Sequence, residues 1–176
     1  MYVVSQPDGR AVDQPVLPVV NMRRSYDRYY ASGLYDSRYP APNPHVLQLI
    51  LNELGSTGGR ILDFGCGSGR YALTLAQQPG VSVFAYDISA AAIQDLSRRC
   101  NEMITAGAMP ARLETLSGNL KDLEQRLEGD AGFDLVVLLF GVLGHIPHRE
   151  RRVATLRCVP LSSPRRIPEG PRLHAL

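Results

Sequence analysis

Two carboxylates and a run of glycines are the residues of this sequence best suited to hold a ligand. Asp63 lies at the end of a short apolar run, and Gly65, Gly67 and Gly69 follow it at alternate positions, while Asp87 closes the next apolar run. A strand, a glycine turn and a helix bring backbone N–H groups close to a ligand, because glycine has no Cβ and adopts positive φ without strain. The spacing therefore predicts a ligand site at the ends of two neighbouring strands.

The residues around this turn restrict which ligand it can take. A dinucleotide-binding loop needs G-x-G-x-x-G, but Arg70 stands where the third glycine would be, and the Gly-Lys-Ser/Thr of a phosphate loop is absent. The carboxylate of Asp63 would repel a pyrophosphate and attract a cation. Asp87 could accept hydrogen bonds from both hydroxyls of a ribose. A nucleoside with a positive charge and no phosphate fits these residues, and S-adenosylmethionine meets that description.

The order of these residues also resembles a known family. Asp63-x-Gly65-x-Gly67-x-Gly69 followed by Asp87 is similar to the class I S-adenosylmethionine-dependent methyltransferases, and the resemblance extends over about residues 26–157. It implies an α/β fold with a doubly wound, Rossmann-like and mostly parallel sheet. It also implies methyl transfer to an unidentified nucleophile by in-line displacement.

We expect further residues to contact this cofactor. The resemblance implies that an aromatic residue of the N-terminal segment, Tyr26 or Tyr30, lines the pocket and that Asn119 reaches the adenine amino group, although Asn119 also suits an ordinary turn. Cys66 is expected to fill space in the loop rather than act as a nucleophile. The predicted cofactor contacts are Asp63, Gly65, Cys66, Gly67, Gly69, Asp87, Ile88, Asn119, Leu120, Phe140, Tyr26 and Tyr30.

His145 is the one predicted catalytic residue. It follows the fourth predicted strand, where the loop should stand beside the transferable methyl group, and imidazole accepts a proton near neutral pH. The alternative is a histidine that only packs nearby. Displacement from a sulfonium depends mainly on alignment and exclusion of water, so no catalytic side chain is strictly required.

Periodicity and capping residues predict the order of the elements. We expect a flexible lead-in over residues 1–20, a methyltransferase domain over 21–158 whose first part, 21–54, is an N-terminal cap, and an irregular tail over 159–176. Three predicted helices span residues 44–54, 70–78 and 150–157. A fourth begins after the capping residue Ser89, and a fifth contains Leu120, Leu123 and Leu127. The predicted strands span residues 61–64, 81–86, 111–116 and 133–140.

The helical and strand patterns fail after Cys158. Residues 159–168 contain three prolines and no usable period, and residues 168–176 resemble the fifth strand of the family only weakly. We therefore expect a sheet that lacks the last strands, with an exposed edge that a partner chain or a second copy could cover. The corresponding hypothesis is a truncated gene product, whose residues 159–176 are either a native or an out-of-frame tail.

Composition excludes some functions and leaves others open. The 176 residues suffice for one domain, no apolar run approaches the roughly 20 residues needed to span a bilayer, and the N-terminus lacks signal-peptide features. The net charge of +2 gives no reason to infer nucleic-acid binding. Arginines and tyrosines are interleaved over residues 23–39, however, which is a pattern that can contact RNA. A tRNA nucleoside and a small molecule therefore both remain open as the methyl acceptor. Three separated cysteines without metal-ligand spacing favour a reducing cytoplasm and no metal.

Two other functions remain open at the level of sequence. One is a methyltransferase-like module that binds S-adenosylmethionine without turnover, alone or with a partner. The other is a nicotinamide-dependent oxidoreductase with an atypical glycine loop, against which Asp63 argues.

Overall fold

A four-stranded parallel sheet forms the centre of the molecule. The structure, a computed structural model, describes residues 19–108 and 112–162, with side chains from residue 22 onward. The strands are β1 (Gly59–Phe64), β2 (Val81–Asp87), β3 (Leu113–Ser117) and β4 (Leu135–Val137), in the order β3-β2-β1-β4. The chain moves outward from β1 to β3 and then crosses back to place β4 on the other side of β1, which is the doubly wound arrangement that the sequence predicts.

Helices cover both faces of this sheet. Within the described residues they are α1 (Val19–Ala31), α2 (Leu34–Arg38), α3 (Pro44–Leu54), α4 (Ala72–Ala76), α5 (Ala90–Thr105), α6 (Leu120–Leu127), α7 (Val142–His145) and α8 (Arg149–Cys158). Ile61 and Val83 face a core shared with α3, α4 and α5, whereas Leu62 and Phe84 face a second core with α6. Because both faces are buried, consecutive residues are apolar in the middle of each strand, as at Ile61 and Leu62 in β1 and at 83–85 in β2.

Polar caps set the beginnings of three helices where the sequence predicts them. The side chain of Asn43 accepts hydrogen bonds from the backbone N–H groups of His45 and Val46 at the start of α3. Ser89 accepts from Ala92 at the start of α5. Asn119 and Asp122 form a capping box at the start of α6. Each cap satisfies backbone donors that the first turn of a helix leaves free.

The fourth strand is shorter than its hydrophobic run. The sequence predicts a strand over 133–140, but β4 pairs with β1 only from Leu135 to Val137. Beyond that point β1 turns into the glycine loop, so the rest of the run has no partner strand for its backbone hydrogen bonds. Phe140 and Gly141 then adopt positive φ and lead into α7. Similarly, α4 occupies only 72–76 of the predicted 70–78, because the chain must turn back to β2 at Pro79-Gly80.

The chain after α8 returns to the start of β4. The Phe133 N–H donates to the carbonyl oxygen of Pro160 at 3.0 Å, and the Ser162 N–H donates to that of Phe133 at 2.9 Å. Phe133 and Leu161 thus form an isolated parallel bridge. Residues 1–18 and 163–176, which include most of the expected lead-in and tail, lie outside the described residues, as does Ala111 at the start of the predicted third strand. None of the helices described is both long and apolar enough to cross a membrane.

Candidate active site

A cavity of about 520 Å³ lies at the carboxyl ends of the strands, beneath α1 and α2. Such a volume is within the usual range of ligand pockets. The predicted site residues that line it are Tyr26, Tyr30, Gly65, Asp87, Ile88, Asn119, Leu120, Phe140 and His145. The other predicted contacts, which are Asp63, Cys66, Gly67 and Gly69, are not among the residues that line it.

Asp87 presents its carboxylate to the cavity at the end of β2. One oxygen accepts a hydrogen bond from the Gly67 N–H at 2.9 Å, and the other accepts from the Ser89 N–H at 2.8 Å. Burial raises the pKa of Asp87, and these backbone hydrogen bonds oppose the rise. A carboxylate oxygen can accept a second hydrogen bond. Asp87 therefore fixes the glycine loop and still has acceptor capacity for a pair of hydroxyls.

Asp63 is a buried acid on β1, which lies between β2 and β4 in the sheet. It pairs with Ala85, two residues before Asp87, so the two carboxylates point to the same face of the sheet in adjacent rows. Two residues along a strand correspond to about 7 Å. Burial, and then the charge of Asp87, raise the pKa of Asp63 to about 7, while Arg70 and a hydrogen bond from the Ala72 backbone lower it. Asp63 is thus a buried acid that can be neutral or ionised near neutral pH.

The loop glycines are in close contact with other parts of the protein. A Cβ on Gly65, Gly67 or Gly69 would come within 3.0 Å of the side chains of Val142, Tyr30 and Leu96 respectively. All three residues have positive φ. At these positions the backbone is therefore in close contact with other side chains of the same chain. Direct contact of Gly67 and Gly69 with a ligand stays a prediction.

Cys66 has the surroundings of a packing residue. Its side chain is buried in the core and its thiol lies 3.4 Å from the carbonyl oxygen of Gly67. Burial, and to a smaller extent the charges of Asp63 and Asp87, raise the pKa of this thiol well above its ordinary value. A thiol that resists ionisation is a poor nucleophile.

Two aspartates that the sequence reasoning missed hold the N-terminal helices over the site. Asp27 on α1 accepts hydrogen bonds from the Ser89 hydroxyl at 2.7 Å and from the Ala91 N–H at 3.3 Å, both at the start of α5. Asp36 on α2 accepts from the Ser68 hydroxyl at 2.8 Å and from the Arg99 guanidinium at 3.1 Å. Within the N-terminal segment the dipeptide Tyr-Asp occurs at 26–27 and again at 35–36, and this repetition was the available signal. In both copies the tyrosine lines the cavity and the acid contacts the scaffold.

Aromatic rings form the side of the cavity beneath the cap. Ring centroids are 4.9 Å apart for Tyr30 and Tyr35 and 5.5 Å apart for Tyr35 and Tyr39, and the ring of Tyr26 meets that of His145 edge-on at 5.7 Å. His145 is exposed and lies at the end of α7. An acceptor entering from this side would meet aromatic surfaces and one imidazole.

Asn119 lines the cavity while it caps α6. Its side-chain oxygen accepts from the N–H groups of Lys121 at 2.8 Å and Asp122 at 3.3 Å. This is the turn role that the sequence left open, and contact with adenine stays a prediction. Among the described residues, no three His, Cys, Asp or Glu side chains are grouped closely enough to hold a metal ion.

A family model described as a methyltransferase domain matches residues 61–162, more than half of the chain. This chain belongs to the methyltransferase domain family. The match begins in β1 and continues through the glycine loop, Asp87 and the loop that carries His145. Together with the fold, it confirms the class I S-adenosylmethionine-dependent methyltransferase assignment, and S-adenosylmethionine as the cofactor of the family.

Individual relatives of this methyltransferase domain agree with that membership. Ribosomal RNA small subunit methyltransferase C of Shewanella amazonensis is 38% identical over 71 residues, which are 40% of this chain and 20% of that protein. The same enzyme of Shewanella oneidensis is 38% identical over 72 residues, again 40% and 20% of the two chains. The chain thus matches only about a fifth of the length of these relatives.

Solved structures share the fold of this methyltransferase domain. A TehB-like SAM-dependent methyltransferase from Corynebacterium glutamicum superposes with a TM-score of 0.54 at 21% identity, covering 78% of this chain and 68% of that one. The N-terminal domain of EvdMO1, crystallised with SAH bound, superposes with a TM-score of 0.50 at 25% identity, covering 65% and 43%.

Proposed function

We propose that this chain transfers the methyl group of S-adenosylmethionine to an acceptor that enters the cavity from its aromatic side. The observation that carries the proposal is the position of Asp87, a buried carboxylate that borders the cavity at the glycine loop and keeps lone pairs free. Two vicinal hydroxyls of a ribose are a suitable partner for such a group. The similarity to a domain crystallised with SAH supports the same ligand.

The residues present fit the cofactor along the length of the cavity. Asp87 would hold the ribose, with Ile88 beside it, and Asn119 and Leu120 would border the base. The cofactor supplies a methyl group activated by a sulfonium. The contribution of the protein is to align the acceptor and keep water out, which the cap helices and their tyrosines support.

His145 is our candidate for the group that takes a proton from the acceptor. It lines the cavity on the side of the tyrosines, and its edge-on contact with Tyr26 orients the ring. A small molecule and a nucleoside of RNA are both compatible acceptors. The ribosomal RNA methyltransferases among the relatives are the reason to include RNA.

Calorimetry followed by a transfer assay tests this function. The wild-type chain is titrated with S-adenosylmethionine, S-adenosylhomocysteine and NAD, and the same titrations are made with Asp87→Asn and with the surface control Asp95→Asn. We expect the two adenosyl ligands to bind, NAD not to bind, and Asp87→Asn to weaken binding about 10-fold or more, because a charge-assisted hydrogen bond contributes about 1.5–3 kcal/mol. Thermal unfolding without ligand shows whether each variant is folded.

Transfer of a labelled methyl group is then measured with total RNA and with a metabolite extract as acceptors. His145→Asn should lower the transfer rate and leave the affinity for S-adenosylhomocysteine unchanged. Ligand binding without transfer to either acceptor pool would support the binding-only module instead. Binding of NAD and of neither adenosyl ligand would overturn the proposal.

A further inference from the structure

The interleaved arginines and tyrosines of residues 23–39 separate onto two surfaces of the cap. All five tyrosines of this segment line the cavity. None of its four arginines lines the cavity, and all four are exposed; these cap arginines are Arg23, Arg24, Arg28 and Arg38. A helix separates residue types in this way when they recur on different faces. The cap therefore presents aromatic rings inward and guanidinium groups outward.

The two acids of the cap do not neutralise its arginines. Asp27 accepts a hydrogen bond from the Ser89 hydroxyl, and Asp36 accepts from the Ser68 hydroxyl and the Arg99 guanidinium, so both are engaged with the scaffold. Within the described residues, no ion pair includes a cap arginine. The outer surface of the cap thus keeps a concentration of positive charge that the net charge of +2 for the whole chain does not reveal.

Two further cations border the cavity on helices outside the cap. Lys121 at the start of α6 and Arg151 in the first turn of α8 line the cavity and are exposed. Neither forms an ion pair in the part of the chain that the structure describes. Asp87 is the only acid among the described residues that line the cavity, and it binds the glycine loop. The charge around the opening therefore favours an acceptor that is negatively charged.

The spread of these cations suits an extended polyanion better than a small anion. Lys121 and Arg151 border the cavity on two different helices, and the cap arginines lie outside its lining. A single carboxylate or phosphate can contact only a few of them, whereas successive phosphates of a nucleic-acid strand can contact many. The tyrosine rings within the cavity offer faces on which an unpaired base can stack, which is how proteins recognise single-stranded RNA.

We propose that the cap arginines, Lys121 and Arg151 bind phosphate groups of a single-stranded RNA segment, one nucleoside of which enters the cavity as the methyl acceptor. The proposal rests on the function proposed above and selects RNA among the acceptors left open there. Phosphate contacts supply affinity and position, and the tyrosines meet the base. Anionic lipid headgroups also attract arginines, but they offer no ring to stack on these tyrosines.

Fluorescence anisotropy with a labelled single-stranded RNA oligonucleotide of mixed sequence tests this surface. Binding is measured over a series of salt concentrations for the wild type and for two double variants. The cap variant is Arg24→Gln with Arg28→Gln, and the rim variant is Lys121→Gln with Arg151→Gln. Calorimetry with S-adenosylhomocysteine and thermal unfolding without ligand are carried out on the same proteins.

The matched control is Arg98→Gln with Arg112→Gln. Both arginines are exposed, belong neither to the cap nor to the lining of the cavity, and together carry the same charge as the pair removed in each test variant. A surface specific for RNA must distinguish the control from the two test variants, because net charge falls equally in all three.

We expect the cap and rim variants each to weaken RNA binding about 5- to 20-fold at about 0.1 M salt. The slope of log affinity against log salt concentration should become shallower by about 1.4, since each phosphate contact of a single strand contributes about 0.7. The control should keep the affinity and slope of the wild type. The cap variant should bind S-adenosylhomocysteine as the wild type does, and in a transfer assay it should raise the KM for RNA and leave kcat unchanged.

Four results would overturn the proposal. An equal loss in the control would mean that only net charge matters. Tighter binding to vesicles of phosphatidylcholine and phosphatidylglycerol than to RNA, at equal phosphate concentration, would assign the surface to a membrane. Equal competition by AMP at the same phosphate concentration would favour a small anion. The fourth is a wild type that binds S-adenosylhomocysteine but no RNA at about 50 mM salt, which would leave the proposed function in place.

Failure of the proposed function has a different signature. RNA binding that follows the predicted pattern in the variants, without binding of either adenosyl ligand to the wild type, would support the RNA surface and remove the methyltransferase activity proposed for this chain.

Discussion

At the scale of single residues, each glycine of the loop after β1 has its own neighbour. The place of a Cβ is taken by Val142 at Gly65, by Tyr30 at Gly67 and by Leu96 at Gly69. The first two neighbours belong to segments that border the cavity, while Leu96 belongs to α5 and the core. Gly65 and Gly67 therefore make room for side chains next to the cavity, whereas Gly69 makes room for the packing of α5.

Gly69→Ala tests this difference. The substitution combines a positive φ of 85° with a clash against Leu96, so we expect it to lower the free energy of unfolding by about 2–4 kcal/mol. Gly107→Ala is the control, because Gly107 has a similar φ of 76° and open space where its Cβ would lie, and it should cost only about 1–2 kcal/mol. Urea unfolding measures both. Equal losses would show that Leu96 moves aside freely.

At the scale of elements, one aspartate on each of the helices α1 and α2 holds that helix to α5 or to the glycine loop. Asp27 joins α1 to the first turn of α5, where a carboxylate is favoured by the helix dipole. Asp36 joins α2 to the glycine loop through Ser68 and to α5 through Arg99. Since the tyrosines of these helices line the cavity, the attachment of the cap and the shape of the site are coupled.

Asp27→Asn should loosen this attachment. The variant keeps the size of the side chain but loses its charge, so we expect the free energy of unfolding to fall by about 1 kcal/mol. Amide hydrogen exchange should accelerate over residues 22–38, and the affinity for S-adenosylhomocysteine should fall with it. Asp95→Asn, which removes an exposed ion pair of α5 with Arg98, should change stability by less than about 0.5 kcal/mol. Normal exchange in the cap of Asp27→Asn would contradict this account.

At the scale of the whole molecule, stability should depend on pH through the buried acid of β1. Because the pKa of Asp63 is raised to about 7, the folded protein holds a proton between about pH 4 and pH 7 that the unfolded chain has released. Stability from this group is therefore full at the acidic end of that window and falls as the pH rises. Asp87, whose pKa burial also raises, acts in the same direction. Asp130, whose pKa the hydrogen bond with Arg60 lowers, loses its contribution only in more acidic solution.

A comparison of the unfolding free energies of the wild type and Asp63→Asn at pH 5 and pH 8 tests this pH dependence. The unfolding free energy of the wild type should fall over this interval by about 2–3 kcal/mol more than that of the variant, since only the wild type must ionise a buried carboxyl. Addition of S-adenosylmethionine should raise the melting temperature of the wild type more at pH 8 than at pH 6, because its positive charge favours the ionised acid. Urea unfolding and thermal shift provide the measurements. If the unfolding free energies of the two proteins change equally with pH, Asp63 is not the source of the pH dependence.

The order of residues along the chain determined the family, the parallel sheet, both ends of α3 and the start of α5. These features depend on local rules that a sequence carries directly: the period of apolar residues, the capping side chains of Asn43 and Ser89, and glycines at turns that need positive φ. Asp87 and His145, which line the cavity, were predicted in the same way, because the carboxyl end of a strand in a doubly wound sheet lies at the ligand site.

Only the tertiary structure decided which of these residues reach the cavity. The register of β1 against β2 placed Asp63 one row deeper than Asp87, and register depends on the pairing of two distant segments. The length of β4 depended on where its neighbour turned away, which hydrophobicity does not encode. The contacts of Asp27 and Asp36 emerged only from the fold, because a charged side chain in a sequence does not indicate which group it will face.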